Sequence, residues 1–131
     1  MVDDEEFCIA AMKAILVKCN IDIQNRCDFC ISGRESLEQV KKAFINGINY
    51  KIILTDFNMP QMDGMEATES IRAFFRSKNV KRKDQPIIIG LTGFSDQKFV
   101  NLGLASGMDE VFSKPIYVDK LQEIFRKYQI Y

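Results

Sequence analysis

With 131 residues the chain has the length of one domain, and 47% hydrophobic with 27% charged residues is typical of a globular protein with a substantial core. Eighteen basic residues balance eighteen acidic ones, so no net charge favours nucleic acid or an anionic membrane as a partner. The chain has no histidine and no apolar run of the roughly 20 residues that a membrane span needs, which argues against histidine chemistry and against membrane insertion.

The start of the chain and its cysteines predict a cytoplasmic location. Residues Asp3 to Glu6 are acidic, whereas a secretory signal begins with basic residues. We interpret Cys8, Cys19, Cys27 and Cys30 as reduced residues, as is usual in the cytoplasm. Cys27 and Cys30 have the spacing of a metal or redox pair, but no second such pair is present to complete a zinc site.

The first half of the chain predicts two helices and two strands. Apolar residues at helical spacing predict a first helix from residue 5 to about residue 20. A short strand follows from Asp28 to Ser32, and a second helix ends near Gly47. The segment Lys51 to Asp56 is β-branched and largely uncharged, which is typical of a strand that is buried on both faces.

The second half continues this alternation. The predicted elements are a helix over Gly64 to Arg76, a polar loop over Ser77 to Gln85, a strand over Ile87 to Thr92, a helix from its N-cap Ser95 to Gly107, a strand over Glu110 to Ser113 and a last helix after Pro115. Alternating strands and helices predict an α/β fold with a parallel sheet covered on both faces. One irregularity is the start, since Met1 to Asp4 is too short for a complete strand.

Polar residues stand where several of these strands end. Asp3 and Asp4 follow the first strand, Asp56 and Thr92 end two others, and Lys114 follows the last. Carboxyl ends of parallel strands form the ligand-binding edge of an open α/β sheet. Carboxylates without histidine or cysteine suit Mg²⁺, and together with a hydroxyl and an ammonium group they supply what transfer of phosphate to a carboxylate requires.

Four motifs in this order resemble those of response-regulator receiver domains, most closely the receivers of hybrid sensor histidine kinases. The motifs are Val2-Asp3-Asp4, Asp56-Phe-Asn-Met-Pro-Gln-Met-Asp-Gly64, Leu91-Thr92-Gly93 and Ser113-Lys114-Pro115. The resemblance covers nearly the whole chain. It implies a flavodoxin-like, doubly wound parallel sheet of strand order 2-1-3-4-5, here with a truncated first strand.

The resemblance also implies a role for each site residue. Asp56 would accept phosphate from a phosphohistidine of a histidine kinase or a histidine phosphotransfer domain. Asp4, Asp56 and the backbone carbonyl of Asn58 would ligate Mg²⁺ directly, and Asp3 would do so largely through water. Thr92 and Lys114 would bind the phosphoryl oxygens. Such a domain changes its partner contacts on phosphorylation and is not an enzyme in the turnover sense.

Two positions beside the site and two departures from the family pattern lead to further expectations. In this family the residues at the positions of Asn58 and Phe94 set the lifetime of the acyl phosphate, and Phe94 predicts slow self-hydrolysis because it cannot orient an attacking water. Val111 stands where many receivers have an aromatic residue that couples to the threonine. The truncated first strand suggests that residues 1–131 are one receiver domain of a larger protein.

Other functions remain as alternatives. A pseudo-receiver would keep the fold as a protein-interaction scaffold without being phosphorylated. An aspartyl-phosphate phosphohydrolase needs a second acid two residues after its nucleophile, where this chain has Asn58. A dinucleotide-binding fold is disfavoured because no GxGxxG motif follows a predicted strand.

Overall fold

The computed structural model describes residues 1–93 and 96–131. Its helices are α1 (Glu6–Lys18), α2 (Ile23–Arg26), α3 (Gly33–Ile45), α4 (Gly64–Ser77), α5 (Gln97–Ser106) and α6 (Val118–Lys127), and its strands are β1 (Ile52–Asp56), β2 (Ile87–Thr92) and β3 (Glu110–Ser113). Phe94 and the predicted N-cap Ser95 lie outside the described residues. The side chain of Asp96 caps α5 by accepting a hydrogen bond from the backbone N–H of Lys98.

The three strands form a parallel sheet in the order β1-β2-β3. The central strand β2 is apolar, and its Ile88 and Ile89 are fully buried. This arrangement confirms the predicted α/β class, because a parallel strand between two neighbours is covered by helices on both faces.

The first strand is reduced to a single residue that nevertheless joins the sheet. Val2 forms parallel bridges with both Cys30 and Thr55. Its N–H donates to the carbonyl of Leu54 at 2.7 Å, and its carbonyl accepts from the N–H of Asp56 at 2.9 Å. Across the sheet the order is the Cys30 segment, Val2, β1, β2 and β3. This order does not conflict with the predicted strand order.

The predicted strand from Asp28 to Ser32 is wrong in extent. Only Cys30 pairs, through an N–H that donates to the carbonyl of Met1 at 2.9 Å and a carbonyl that accepts from Asp3 at 3.0 Å. A strand at the edge of a sheet is defined by its pairing with a neighbour, and in the described residues this segment forms a single bridge, between Cys30 and Val2.

Two helical layers cover the sheet. Alternate residues of β1 point to opposite faces, so that Leu54 packs in one core and Ile53 in the other. The first core includes residues of α1 and α6 such as Leu16 and Phe125, and the second includes residues of α3 and α4 such as Val40 and Phe75. Burial of each such side chain stabilises the fold by roughly 1.5–3 kcal/mol. No helix in the described part of the chain is long and apolar enough to cross a membrane.

Candidate functional site

Asp56 is the last residue of β1, at the carboxyl edge of the sheet. Its side chain is 10% exposed, so one face of the carboxylate remains accessible. The loop that follows closes tightly against it, because a Cβ at Gly64 would lie 2.1 Å from the backbone oxygen of Asp56. Gly64 also donates its N–H to the carbonyl of Phe57 at 3.0 Å. The absence of a side chain at Gly64 therefore allows the loop to pass close to Asp56 and α4 to start beside it.

Three carboxylates converge at this edge. Asp3, Asp4 and Asp56 each offer an oxygen, and these oxygens lie within 4.8 Å of one another. Asp3 is fully buried, and its Oδ1 accepts a hydrogen bond from the backbone N–H of Glu5 at 3.0 Å. Carboxylate oxygens at this spacing suit a hard divalent cation that keeps several water ligands. The donor set therefore fits Mg²⁺.

Lys114 links two of these carboxylates. Its Nζ lies 2.9 Å from Oδ2 of Asp3 and 3.0 Å from Oδ1 of Asp56. The lysine follows β3, and its backbone N–H donates to the carbonyl of Thr92 at 2.7 Å. The peptide bond from Lys114 to Pro115 is cis. One ammonium group thus holds together the ends of the first strand segment, β1 and β3.

The electrostatics of the site reflect the competition between burial and pairing. Burial raises the pKa of the Asp56 carboxyl, and the negative charges of Asp3 and Asp4 raise it further, against the opposing effect of Lys114. Burial acts to lower the pKa of Lys114, but its hydrogen bonds to Asp3 and Asp56 reverse this effect and leave the pKa raised. Asp56 is thus a carboxylate in a crowded, partly desolvated site that a further cation would stabilise.

Thr92 and Asn58 border the site in different ways. Thr92 is buried and is the last residue of β2. It directly follows Leu91, which lies opposite Asp56 in the pairing of β2 with β1. Asn58 lies in the loop after β1 with an exposed side chain. The structure therefore brings Asp3, Asp4, Asp56 and Lys114 into direct proximity, places Thr92 at the neighbouring strand end and leaves the role of the Asn58 carbonyl as a prediction.

Sequence reasoning missed the backbone groups that hold this cluster. The carbonyl of Val2 fixes the backbone of Asp56, and the N–H of Glu5 binds the buried Asp3. No side-chain pattern identifies such contacts, since every residue type has the same backbone groups. The one available signal is the position of Asp3 shortly before a helix, where an acidic side chain often accepts a hydrogen bond from a backbone N–H.

Comparison with known proteins gives a family match over most of the chain. The sequence model described as "Response regulator receiver domain" matches residues 1–126. The chain is 33% identical over 107 residues to the osmosensing histidine protein kinase SLN1 of Saccharomyces cerevisiae, a match that covers 82% of this chain. It spans only 8% of the length of that relative.

Two solved structures are similar in fold. The receiver domain of the histidine kinase CKI1 from Arabidopsis thaliana, complexed with Mg²⁺ and BeF₃⁻, matches with a TM-score of 0.79 and 25% identity, over 99% of this chain and 87% of that one. The receiver domain of Ssk1, in its complex with the histidine phosphotransfer protein Ypd1 of S. cerevisiae, matches with a TM-score of 0.80. That match has 24% identity, covers 97% of this chain and 84% of that one, and supports the fold alone.

The raised pKa of Asp56 predicts a pH-dependent effect of Asp56→Asn on stability, measured without divalent cations. Because the folded-state pKa lies above the unfolded value of about 3.9, ionisation of Asp56 opposes folding at neutral pH and has no effect below both values. We expect Asp56→Asn to raise the free energy of unfolding relative to wild type at pH 7, and the gain to disappear at pH 3. Urea denaturation at several pH values measures the difference.

Asp96→Asn is the matched control, because Asp96 is an exposed N-cap and asparagine caps helices equally well. It removes one negative charge without touching the acidic cluster. A destabilised Asp56→Asn protein at pH 7 would contradict the prediction, since it would mean that the pair with Lys114 outweighs the cost of burial.

Proposed function

The chain belongs to the family of response regulator receiver domains, and from this premise we propose that it takes phosphate from a phosphohistidine in trans onto Asp56, with Mg²⁺, and thereby changes its partner contacts. The observation that carries the proposal is the cluster of Asp3, Asp4 and Asp56 around the ammonium group of Lys114. These groups would hold a divalent cation beside the carboxylate of Asp56 and would place the Lys114 ammonium group next to an incoming phosphoryl group.

Mg²⁺ would be held by Asp4, Asp56 and the backbone carbonyl of Asn58, with Asp3 acting largely through water, and it would offset the negative charge of the incoming phosphoryl group. An oxygen of Asp56 attacks phosphorus, and a new O–P bond replaces the N–P bond of the donor imidazole. The donor nitrogen keeps the electron pair of the broken bond. Lys114, which pairs with Asp56 at 3.0 Å, then binds a phosphoryl oxygen while Asp3 still anchors it at 2.9 Å.

The phosphoryl donor lies on another domain, because the chain has no histidine. A histidine kinase or a histidine phosphotransfer domain has the required chemistry, and SLN1 is by name a histidine protein kinase. We assign the chain to the cytoplasm and regard it as one receiver domain of a larger protein, as it matches a small part of SLN1. It acts as a signalling domain with at most slow self-dephosphorylation.

The outer face of α1 supports a protein partner beside the site. Phe7 is 82% exposed and Val17 is 55% exposed, and the exposed Ala10, Ala11 and Ala14 continue the same face at helical spacing. Asp4 lies two residues before the first residue of this helix. An apolar face next to the acceptor suits a partner that must bring its phosphohistidine to Asp56.

A pseudo-receiver that acts as a scaffold is the second candidate. The observation that favours it is the reduction of the first strand to one bridged residue, Val2, which directly precedes Asp3 and Asp4. If that segment opens, the metal ligands separate from Asp56. Phosphorylation of the isolated chain distinguishes the two functions.

Incubation with acetyl phosphate tests whether Asp56 is a phosphoacceptor. We expect intact-mass measurement to show Mg²⁺-dependent addition of one phosphoryl group to the wild type and none to Asp56→Asn. Asp63→Asn is the matched control, since Asp63 caps α4 and asparagine preserves the cap. It should be labelled like the wild type. An unlabelled wild type with a cooperative unfolding transition would favour the scaffold.

The identity of Phe94 predicts a long-lived acyl phosphate. A phenylalanine cannot orient or deprotonate water, whereas a glutamate can do both. We expect Phe94→Glu to lose its phosphate at least tenfold faster than the wild type, within the range of general-base effects. Loss of label over time by intact mass measures the rate, with the exposed-site variant Leu102→Glu as the control. Equal rates in both variants and the wild type would refute the role of position 94.

Because the exposed face of α1 is apolar, we predict that Phe7→Asp slows phosphate transfer from a protein donor but not from acetyl phosphate. Acetyl phosphate needs no protein interface, so its rate should not change. Transfer from a phosphorylated histidine phosphotransfer protein that serves the wild type should slow by roughly tenfold or more, because loss of one aromatic anchor weakens an interface on that scale. Leu102→Asp, an equally polar change at an exposed position of α5, is the control. Equal slowing with both donors would mean that Phe7 supports the site itself.

A further inference from the structure

Basic residues are concentrated in two segments of this net-neutral chain. Residues 39–45 and 70–83 hold eight of the eighteen basic residues and none of the eighteen acidic ones. Two of the eight, Arg72 and Arg82, pair with Asp109 at 2.9 and 3.3 Å. The other six form no ion pair within the described residues, and they are Lys41, Lys42, Arg76, Lys78, Lys81 and Lys83. All of these six except the half-buried Lys41 are exposed.

The six cations lie at the opposite end of the domain from Asp56. The first segment ends α3, and the second covers the last part of α4 and the loop that leads to β2. The two helices pack side by side, with the rings of Phe44 and Phe74 5.5 Å apart. Helices that connect parallel strands run back across the sheet, so both helices end at its amino edge, whereas Asp56 lies at its carboxyl edge. The length of β1, roughly 17 Å for five residues, separates the two edges.

Two of these cations converge on one aromatic side chain. The Nζ atoms of Lys41 and Lys78 each lie 5.8 Å from the centroid of the Phe74 ring. The ring attracts each ammonium group, but two like charges that lie within twice this distance of each other also repel. An anionic surface next to the six cations would offset this repulsion.

Ile45 adds an apolar group to the same surface. Its side chain is 79% exposed. It follows Lys41 and Lys42 by four and three residues, so the three side chains share one face of α3. An exposed apolar side chain among cations is typical of proteins that bind to the surface of a bilayer, where the apolar group enters below the headgroups and the lysines stay at their level.

Stabilisation of the helix ends explains only part of this pattern. Lys42, Arg76 and Lys78 lie in or directly after the last turn of a helix, where a cation interacts favourably with the helix dipole. Lys81 and Lys83 lie beyond the end of α4, and the uncharged Ile45 makes no such interaction. Neither the helix ends nor ion pairs within the described residues therefore explain why these three side chains lie together at one end of the domain.

We propose that this surface, which we call the basic end and define by the six cations and Ile45, binds an anionic lipid bilayer. Clusters of about four to eight Lys and Arg residues bind anionic lipids when they face a membrane. The cations come from α3, α4 and the loop after α4, which suits a continuous layer of mobile anions better than a single acidic peptide. A nucleic acid would offer no apolar layer for Ile45.

Binding at the basic end would direct the carboxyl edge of the sheet away from the bilayer, because the two lie at opposite ends of β1. Asp56 would then face the aqueous side, where a protein partner can reach it. The basic end is separate from the acceptor site, and its binding to lipid is independent of the proposed function.

The test is sedimentation of the full chain with vesicles of phosphatidylcholine, alone or mixed with phosphatidylserine. We expect binding to the mixed vesicles to be roughly tenfold tighter or more, since each basic group near an anionic surface contributes about fivefold. Added salt should weaken this binding, because it screens the charges. Equal binding to the two kinds of vesicle, or no binding to either, would overturn the proposal.

A double charge reversal locates the binding surface. Lys81→Glu combined with Lys83→Glu should weaken binding to the mixed vesicles by roughly tenfold or more. Lys98→Glu combined with Lys120→Glu is the matched control, because it makes the same change in net charge at exposed positions of α5 and α6. The control should bind like the wild type. Equal weakening by both pairs would assign binding to net charge and overturn the proposal.

The apolar contact has a spectroscopic readout of its own. The chain has no tryptophan, so Ile45→Trp introduces a single fluorescent probe at the basic end. We expect its emission to shift to shorter wavelength on addition of the mixed vesicles, because the indole enters a less polar layer. Leu102→Trp, at an exposed position of α5, is the control and should not shift. A shift at both positions, or at neither, would overturn the proposed orientation on the bilayer.

Two other anionic partners are separated by the same variants. Polyglutamate and single-stranded DNA are tested for binding to the wild type and to the Lys81→Glu and Lys83→Glu double variant. If either polymer binds through the basic end and the mixed vesicles do not bind, the occupant is an acidic protein or a nucleic acid and the proposal is wrong. If the mixed vesicles bind the wild type and not the double variant, the proposal stands.

Discussion

The carboxyl edge of the sheet depends on the pairing of the Lys114 ammonium group with two carboxylates. The Nζ atom of Lys114 lies 2.9 Å from the fully buried carboxylate of Asp3 and 3.0 Å from the largely buried carboxylate of Asp56. Two carboxylates this close repel each other, and burial makes the repulsion stronger. Without the lysine the two strand ends would carry an uncompensated negative charge. The same arrangement leaves carboxylate oxygens whose spacing fits a divalent cation.

The position of Asp3 in turn depends on a very short piece of backbone. Val2 joins the Cys30 segment to β1, and its two hydrogen bonds to β1 lie directly before Asp3. A single bridge has no neighbouring pairs to reinforce it, so the first strand segment is held by few interactions compared with β2. The geometry of the acidic cluster therefore depends on a short segment of backbone around Val2.

The receiver fold and the acidic cluster rest on different observations. The family match over residues 1–126 establishes the receiver fold. The distances among Asp3, Asp4, Asp56 and Lys114 show that this particular chain assembles the acidic cluster despite its short first strand.

The sequence by itself determined the α/β class, the helices α1 and α4 to within two residues of their ends, the C-terminal end of α3, and the strands β1, β2 and β3, because hydrophobic periodicity and turn residues are local signals. It also placed Asp56, Thr92 and Lys114 at strand ends. It did not determine that the predicted strand at Asp28 to Ser32 would shrink to one bridge at Cys30, since pairing depends on a neighbour that is distant in the chain. Only the tertiary structure decided that Asp3 would be fully buried against Lys114, 111 residues away, because this contact follows from how strand ends meet in space.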